Sequence, residues 1–370
     1  MNSAQKSLRD PEERLAAALK EAKLDAIIVS RDANQRYLEG FTGSECYLLS
    51  SGDKSWLIAD SRYTEQSEAE CRRAKTVQHR NPCPPYDEVI AKLALENGFK
   101  KIGFEKDHLT YGQYETLRDT AAKQKAYELV PTDSIVENLR LIKSADEIAK
   151  LRRAAEISDA ALKDLLPKIH EGMSELTMAR ELESLMVAHG AAGPSFETIA
   201  AFGAHSSMPH AVPSADTKLK KGDFILLDFG ALYEGYHADI TRTFVFGRAT
   251  ERQKKIYSTT LAAQLAGLKE MVPGGDGKQI DVDERAIIAK EGLPEYSHGL
   301  GHGTGLEIHE RPFMGRNCKD RLAAGMVVTD EPGVYVPGEG GVRIEDSVYI
   351  SEKGPEPLNK FPKELIEINN

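Results

Sequence analysis

A repeat in the last part of this 370-residue chain leaves few folds open to it. Residues 219–228 read LKKGDFILLD, and residues 322–331 read LAAGMVVTDE. In each copy a leucine stands three positions before a glycine, apolar β-formers follow, and a carboxylate (Asp228, Glu331) comes six positions after that glycine. Short apolar runs of this kind suit buried strands. Each copy is followed by another strand-like segment with its own acid: HADITRTFVF with Asp239, and GVRIEDSVYI with Glu345. Period-two alternation puts His237, Asp239, Thr241 and Thr243 on one face of the first segment. Two similar strand pairs, each offering two acids, predict a pseudo-symmetric α+β domain with a cleft between its halves.

Taken singly, each acid has an ordinary explanation. Asp228 could be a strand-end carboxylate satisfied by backbone N–H groups, and Asp239 part of a solvated strand face. Glu331 enters a turn at Pro332-Gly333, and Glu345 could simply pair with Arg343. Converging between two buried halves, the four could not all stay charged unaided, because unpaired buried charge either protonates or acquires cations. Two divalent cations would balance four carboxylates, and one imidazole would make a five-residue donor set.

Residues 297–310, SHGLGHGTGLEIHE, offer that imidazole. His298 and His302 are spaced for one helical face, but Gly299, Gly301 and Gly303 oppose a helix, each costing about 1 kcal/mol relative to Ala. A tight loop or twisted strand is expected instead. In it His302 would supply a nitrogen, and the glycines would let the backbone approach the ions closely.

The first third alternates helical and strand patterns. A helix is expected over 11–23 with Pro11 at its start, a buried strand over 25–30, and a hairpin of CYLLS and SWLIAD around Gly52-Asp53. A helix near 86–97, a strand at 101–105 and a helix near 109–123 complete an α/β layout. Residues 131–145 read as a connector, after which Ser144 and Glu147 form a capping box. That helix should run to about Leu166, ending or kinking at Pro167; another, capped by Ser174 and stopped at Gly190, should cover 175–189. The expected domains are 1–140 and 141–370.

Charge and composition narrow the function classes. The net charge is -10, from 58 acids against 48 Lys and Arg, with no dense basic stripe, so a nucleic-acid partner is not expected. The cluster Arg72, Arg73 and Lys75 reads as a solvated helix end. Apolar runs such as AIIV and FILL are too short to span a bilayer. The start, MNSAQKSLRDPEER, has no signal-peptide h-region. Cys46, Cys71, Cys83 and Cys318 lack CxxC spacing and read as reduced residues, so the cytoplasm is the expected compartment.

The segments NQRYLEGFTGS, LIADSRYTEQ, SMPHAVPS, KGDFILLDFGALYEGYHADITRTF, SHGLGHGTGLEIHE, VVTDEPGVY and GGVRIEDSV occur in that order. Together they resemble the creatinase/methionine aminopeptidase-type metallopeptidases, most closely the Xaa-Pro peptidases (aminopeptidase P and prolidase). The resemblance runs through most of the chain. It implies a creatinase-like α/β N-terminal domain followed by a pita-bread catalytic domain. By position, Asp228, Asp239, His302, Glu331 and Glu345 match the family's metal ligands. In such sites Asp239 and Glu345 are expected to bridge two metals, His302 and Glu331 to hold one, and Asp228 the other. His210, His298 and His309 match active-site histidines that are not ligands, Arg343 an active-site arginine, and Tyr335 a supporting tyrosine. His205 and His237 read as peripheral.

The reaction so implied is hydrolysis of the bond between an N-terminal residue and proline. Glu331 would take the proton of the attacking water, and His210 and His309 would stabilise the developing oxyanion. His298, Arg343 and Tyr335 would serve substrate binding. The carboxylate-rich set points to manganese, with cobalt or zinc as substitutes. Prolidase, cleaving only Xaa-Pro dipeptides, is the nearest alternative, and Arg343 could then hold the substrate carboxylate. Methionine aminopeptidase fits less well because typical members lack such an N-terminal domain, and creatinase because it uses no metal. A non-catalytic binding module of this fold is the alternative from a different class. The family often forms homodimers with the N-terminal domain near a neighbour's active site, so a homodimer is expected.

Overall fold

Asp10 and Pro11 start the first helix: the Asp10 carboxylate accepts from the Glu12 N–H, and proline fits the first helical position. The structure, a computed structural model, describes residues 10–80 and 82–369. It divides into two compact units, the first ending at Arg140 and the second beginning at Leu141.

The first unit runs α1 (Pro11–Ala22), β1 (Ala26–Val29), α2 (Asp32–Glu39), β2 (Tyr47–Ser50), β3 (Ser55–Ala59), α3 (Thr64–Glu70), β4 (Lys75–Gln78), α4 (Tyr86–Asn97), β5 (Lys101–Glu105), α5 (Tyr111–Gln124), β6 (Glu128–Thr132) and α6 (Ile135–Arg140). Its sheet has the order β4-β3-β2-β1-β5-β6. β1 pairs parallel with β5 and antiparallel with β2. Ile28, Leu49, Ile58 and Ile102 from this sheet pack with Ile90 and Leu93 of α4 and Leu117 of α5. Residues 131–145 are not the simple connector their mixed polarity suggests, because the end of β6 and the whole of α6 fall there. Val136 is buried, and Arg140 donates to the Asn34 side chain at 2.7 Å, a tertiary bond that local polarity does not reveal.

The second unit begins with the expected capping box: Ser144 accepts from the Glu147 N–H, and the Glu147 carboxylate accepts from the Ser144 N–H. Helix α7 (Ala145–Leu165) passes into a 3-10 turn, Leu166–Lys168, at Pro167, and Ser174 caps α8 (Glu175–Ala188). Then follow β7 (Gly193–Pro194), β8 (Ile199–Phe202), β9 (Phe224–Phe229), β10 (Ala231–Tyr233), β11 (Tyr236–His237) and β12 (Ile240–Phe246). Helices α9 (Glu251–Glu270) and α10 (Gly277–Lys290) precede β13 (Gly301–Gly303), β14 (Glu310–Met314), β15 (Val327–Asp330), β16 (Gly333–Val336), β17 (Gly340–Arg343), β18 (Asp346–Ser351), β19 (Gly354–Pro357) and β20 (Glu367–Ile368).

The repeat becomes a structural near-symmetry. β9 pairs antiparallel with β12 in the sheet β20-β12-β9-β8, and β15 pairs antiparallel with β18 in β14-β13-β15-β18-β19. Each sheet buries one face under a helix pair. Leu162, Leu165, Met178 and Leu182 of α7 and α8 cover Ile225, Leu227 and Phe244; Ile256, Ala263, Ile280 and Ile288 of α9 and α10 cover Val328, Val348 and Ile350.

HADITRTFVF is not one continuous strand. β11 ends at His237 and β12 begins at Ile240, leaving Asp239 in the break. The backbone comes close to itself at this break: a Cβ on Gly230 would lie 1.8 Å from the Ala238 carbonyl oxygen, so position 230 requires glycine. Glu345 occupies the matching break between β17 and β18, and its N–H donates to the Thr241 carbonyl at 3.1 Å.

Candidate active site

Four carboxylates reach one cavity from the ends and breaks of these strands. Asp228 lies in β9, directly across from Thr241; Glu331 follows β15; Asp239 and Glu345 occupy the two breaks. One carboxylate oxygen each from Asp228, Asp239 and Glu345 lie within 4.8 Å of one another. His302, in β13, brings Nε2 to 3.5 Å from both Asp239 Oδ2 and Glu331 Oε1. The cavity, about 510 Å³, also exposes His210, His298, His309 and Arg343.

The glycines beside His302 have a use other than the one expected. A Cβ on Gly301 would lie 2.0 Å from the Thr329 carbonyl oxygen, so Gly301 lets β13 close against β15. The glycines serve strand packing, and that packing sets the imidazole in place. The His302 N–H donates to Thr329 Oγ1 at 2.9 Å, and the same hydroxyl donates to Glu331 Oε1 at 3.2 Å. Thr241 does the equivalent work in the other half: its hydroxyl donates to Glu345 Oε2 at 2.6 Å and accepts from Arg343 Nε at 3.1 Å.

Electrostatically the cluster is unfinished. Burial raises Asp239 well above the carboxylate range, and Glu345, Asp228 and Glu331 add repulsion. Glu345 is raised in the same way, by burial and then by Glu331 and Asp228, and burial pushes Glu331 up to about 8. Burial also lowers His302 to about 4, so its ring is neutral at pH 7. Its Nδ1 lies 3.1 Å from the Gly303 carbonyl oxygen, which can only accept, so Nδ1 carries the hydrogen. Nε2 therefore turns a lone pair toward two carboxylate oxygens. Asp228 Oδ1 is buried with no hydrogen-bond partner. Unless these carboxyls keep protons, acceptors face acceptors here, an arrangement that a cation relieves, and oxygen donors plus one imidazole suit a hard or borderline divalent ion.

The remaining side chains form an ordered chain behind these acids. Arg343 Nη2 donates to Asp228 Oδ2 at 2.6 Å, and Nη1 donates to the Tyr335 hydroxyl at 2.8 Å and the Pro209 carbonyl at 3.3 Å. His298 Nδ1 donates to the Gly299 carbonyl at 2.7 Å, so Nε2 accepts from the Tyr335 hydroxyl at 2.9 Å. Burial, with Arg343 nearby, lowers His298 to about 4. Tyr335 is not among the cavity-lining residues. The His309 ring meets that of His302 edge-on, 4.4 Å between centroids, and burial lowers its basicity too. His205 and His237 do not line the cavity: His205 is held by Glu175, and His237 lies 3.0 Å from the Ser195 hydroxyl.

Sequence reasoning passes over Thr241 and Thr329, whose hydroxyls orient the acids, and over the apolar wall of Phe196, Ile199, Val212, Ile308 and Phe313. Thr241 had a signal, sharing a strand face with Asp239. Thr329 had none beyond lying two residues before Glu331.

The fold and this site define a metallopeptidase. Residues 149–352 match the model of metallopeptidase family M24 and residues 12–142 that of the creatinase/prolidase N-terminal domain, and the chain belongs to that family. It is 41% identical to an uncharacterised peptidase, YqhT, of Bacillus subtilis strain 168, over 96% of this chain and 99% of that one. Among solved structures, an Xaa-Pro dipeptidase from Bacillus anthracis superposes with a TM-score of 0.90 at 41% identity, covering 96% of this chain and 98% of that one. An X-Pro aminopeptidase from Thermotoga maritima MSB8 superposes with a TM-score of 0.89 at 34% identity, covering 96% and 99%. The second unit is accordingly the family's pita-bread catalytic fold, and divalent metal ions are the family's cofactor.

Proposed function

We propose that the chain hydrolyses the peptide bond between an N-terminal residue and proline, using two divalent ions held by Asp228, Asp239, His302, Glu331 and Glu345. The observation that carries the metal part is the His302 Nε2 lone pair facing Asp239 and Glu331 oxygens at 3.5 Å, beside the unpartnered Asp228 Oδ1. The names of the Bacillus anthracis and Thermotoga maritima relatives support proline as the second residue. Bound at these donors, such ions acidify water and polarise the scissile carbonyl.

The chain's own groups supply the rest. Glu331 takes the proton of the attacking water at a carboxylate oxygen. His210 and His309, on the cavity wall, donate to the carbonyl oxygen as it gains charge. Asp239 and Glu345 would contribute carboxylate oxygens to the metal pair. Arg343 keeps Asp228 in place, and Tyr335 and His298 continue that support. Proline lacks an N–H, so its selection rests on shape, which the apolar wall supplies.

Arg343 also favours aminopeptidase action on peptides longer than two residues. Among the described residues lining the cavity it is the only arginine or lysine, and its donors already serve Asp228, Tyr335, Thr241 and Pro209. Little remains to grip a dipeptide's C-terminal carboxylate. The dipeptidase reading has its own support in the name of the Bacillus anthracis relative, and would require a protonated cavity histidine for that grip. We take manganese as the working metal, the cytoplasm as the compartment and a homodimer as the assembly. Among the described residues no helix is long and apolar enough to cross a membrane.

The test is hydrolysis of Leu-Pro and Leu-Pro-Gly side by side by manganese-loaded protein. Faster tripeptide cleavage is expected; faster dipeptide cleavage would establish the dipeptidase instead, and cleavage of neither would end the Xaa-Pro reading.

A further inference from the structure

We infer that Glu175 is a positioning residue for this site: its carboxylate clamps the segment 203–214 and, through it, His210. The inference rests on the peptidase reading above. Glu175 opens α8 and is fully buried. Its Oε1 accepts from the Phe202 N–H at 2.8 Å, and its Oε2 accepts from the Ser214 N–H at 3.0 Å. His205 Nδ1 lies 2.8 Å from Oε1 and 3.0 Å from Oε2. One side chain thus ties the residue before the segment, a residue inside it, and its last residue. A buried carboxylate is tolerable here because N–H donors surround it and it stands at a helix N-terminus, where negative charge is favoured.

The segment has little else to hold its outer face. Met208 is 58% exposed, so apolar burial contributes little there. Its inner face meets the site directly. His210, Ala211, Val212 and Pro213 line the cavity, and the Pro209 carbonyl accepts from Arg343. Ser206 Oγ accepts from the N–H of Gly341 at 2.8 Å, within β17, the strand that ends in Arg343. If the ends loosen, His210 drifts from the substrate carbonyl, while Asp228, Asp239, His302, Glu331 and Glu345 keep their own supports. An ångström-scale drift of a catalytic group is enough to cost orders of magnitude in rate.

Glu175→Gln is the informative change. A glutamine has one acceptor oxygen, so it can serve Phe202 or Ser214 but not both, and its amide N–H groups face the other donor. We expect kcat on the better of the two proline peptides to fall at least tenfold, with KM and bound manganese nearly unchanged. In a His210→Ala background the same substitution should cost less than twofold, since its effect passes through His210. Amides within 203–214 of the metal-free variant should exchange faster than in the wild type, with strands β9, β12, β15 and β18 unaffected. Should Glu175→Gln fail to fold, His205→Ala removes one contact from the exposed side and should give the same pattern at smaller size.

Multiplying losses in the double variant, or unchanged exchange over 203–214, would overturn the inference and leave the peptidase reading standing. A wild type that cleaves neither peptide would remove both.

Discussion

At Asp239, burial, carboxylate repulsion and the candidate metal site meet in one side chain. It is buried, its carboxyl is raised by burial and by Glu345, Asp228 and Glu331, and His302 Nε2 stands 3.5 Å away. Asp239→Asn should remove at least about 2.7 kcal/mol of rate acceleration, roughly a hundredfold in kcat/KM, and lower the metal bound per chain, both measurable on one preparation. Without metal, the same variant should lose less stability than the wild type between about pH 4 and pH 7, because folded Asp239 holds a proton that the unfolded chain releases as pH rises; urea unfolding of both metal-free proteins at the two pH values checks this. At this scale the sequence is most readable where an acid closes an apolar strand, as Asp228 and Glu331 do. Thr241, Thr329 and Glu175 escape such reading. The partners of Thr241 and Glu175, and the His302 N–H that fixes the Thr329 hydroxyl, lie far along the chain, and a hydroxyl or carboxylate gains its role only when tertiary pairing brings them in.

Elements show the same division. The long helices α7 and α8 are legible from their caps, Ser144 with Glu147 and Ser174, and the strands from apolar runs bounded by glycine. The short α2, α3, β4 and α6 are not, since their faces are completed by contacts rather than by periodicity. Gly301 illustrates an element-level need: with 2.0 Å between a new Cβ and the Thr329 carbonyl, Gly301→Ala must push β13 off β15. A loss of about 3 kcal/mol is expected in urea unfolding, together with weaker manganese binding as His302 moves.

Another element-level consequence lies in the first unit. Glu12, in the first turn of α1, is buried against β2 and β3, accepting from the hydroxyls of Ser50 and Ser55. Burial and the nearby Glu39 push its carboxyl up from 4.5 to about 8. A carboxyl raised in the folded state holds a proton that the unfolded chain has released. Stability is therefore full below about 4.5 and falls as pH rises toward about 8, where folded Glu12 also ionises. Glu12→Gln should remove about 1–3 kcal/mol of the stability difference between pH 5 and pH 9, read from denaturant midpoints at both pH values. An unchanged difference would mean that Glu12 is charged when folded.

For the whole molecule, metal loading should be a stability event as well as a catalytic one. The five candidate donors come from both halves of the second unit, so ions bound there link β9 and β12 with β13, β15 and the β17–β18 break. Manganese at a hundred times its Kd should add about 2.7 kcal/mol, seen as slower hydrogen exchange in those strands and a higher melting temperature that a chelator reverses. The pseudo-symmetric catalytic fold was open to inference because the repeat at 219–228 and 322–331 survives in the chain, whereas the cavity's apolar wall is gathered from three separate stretches, 196–199, 212 and 308–313, and leaves no local pattern. The most direct test of the central claim is a manganese titration of metal-stripped protein, following release of leucine from Leu-Pro-Gly and from Leu-Ala-Gly. No release without metal, and release from the proline peptide alone as two ions bind per chain, is the expected result. Cleavage that ignores the metal, or that never appears at full loading, would contradict it.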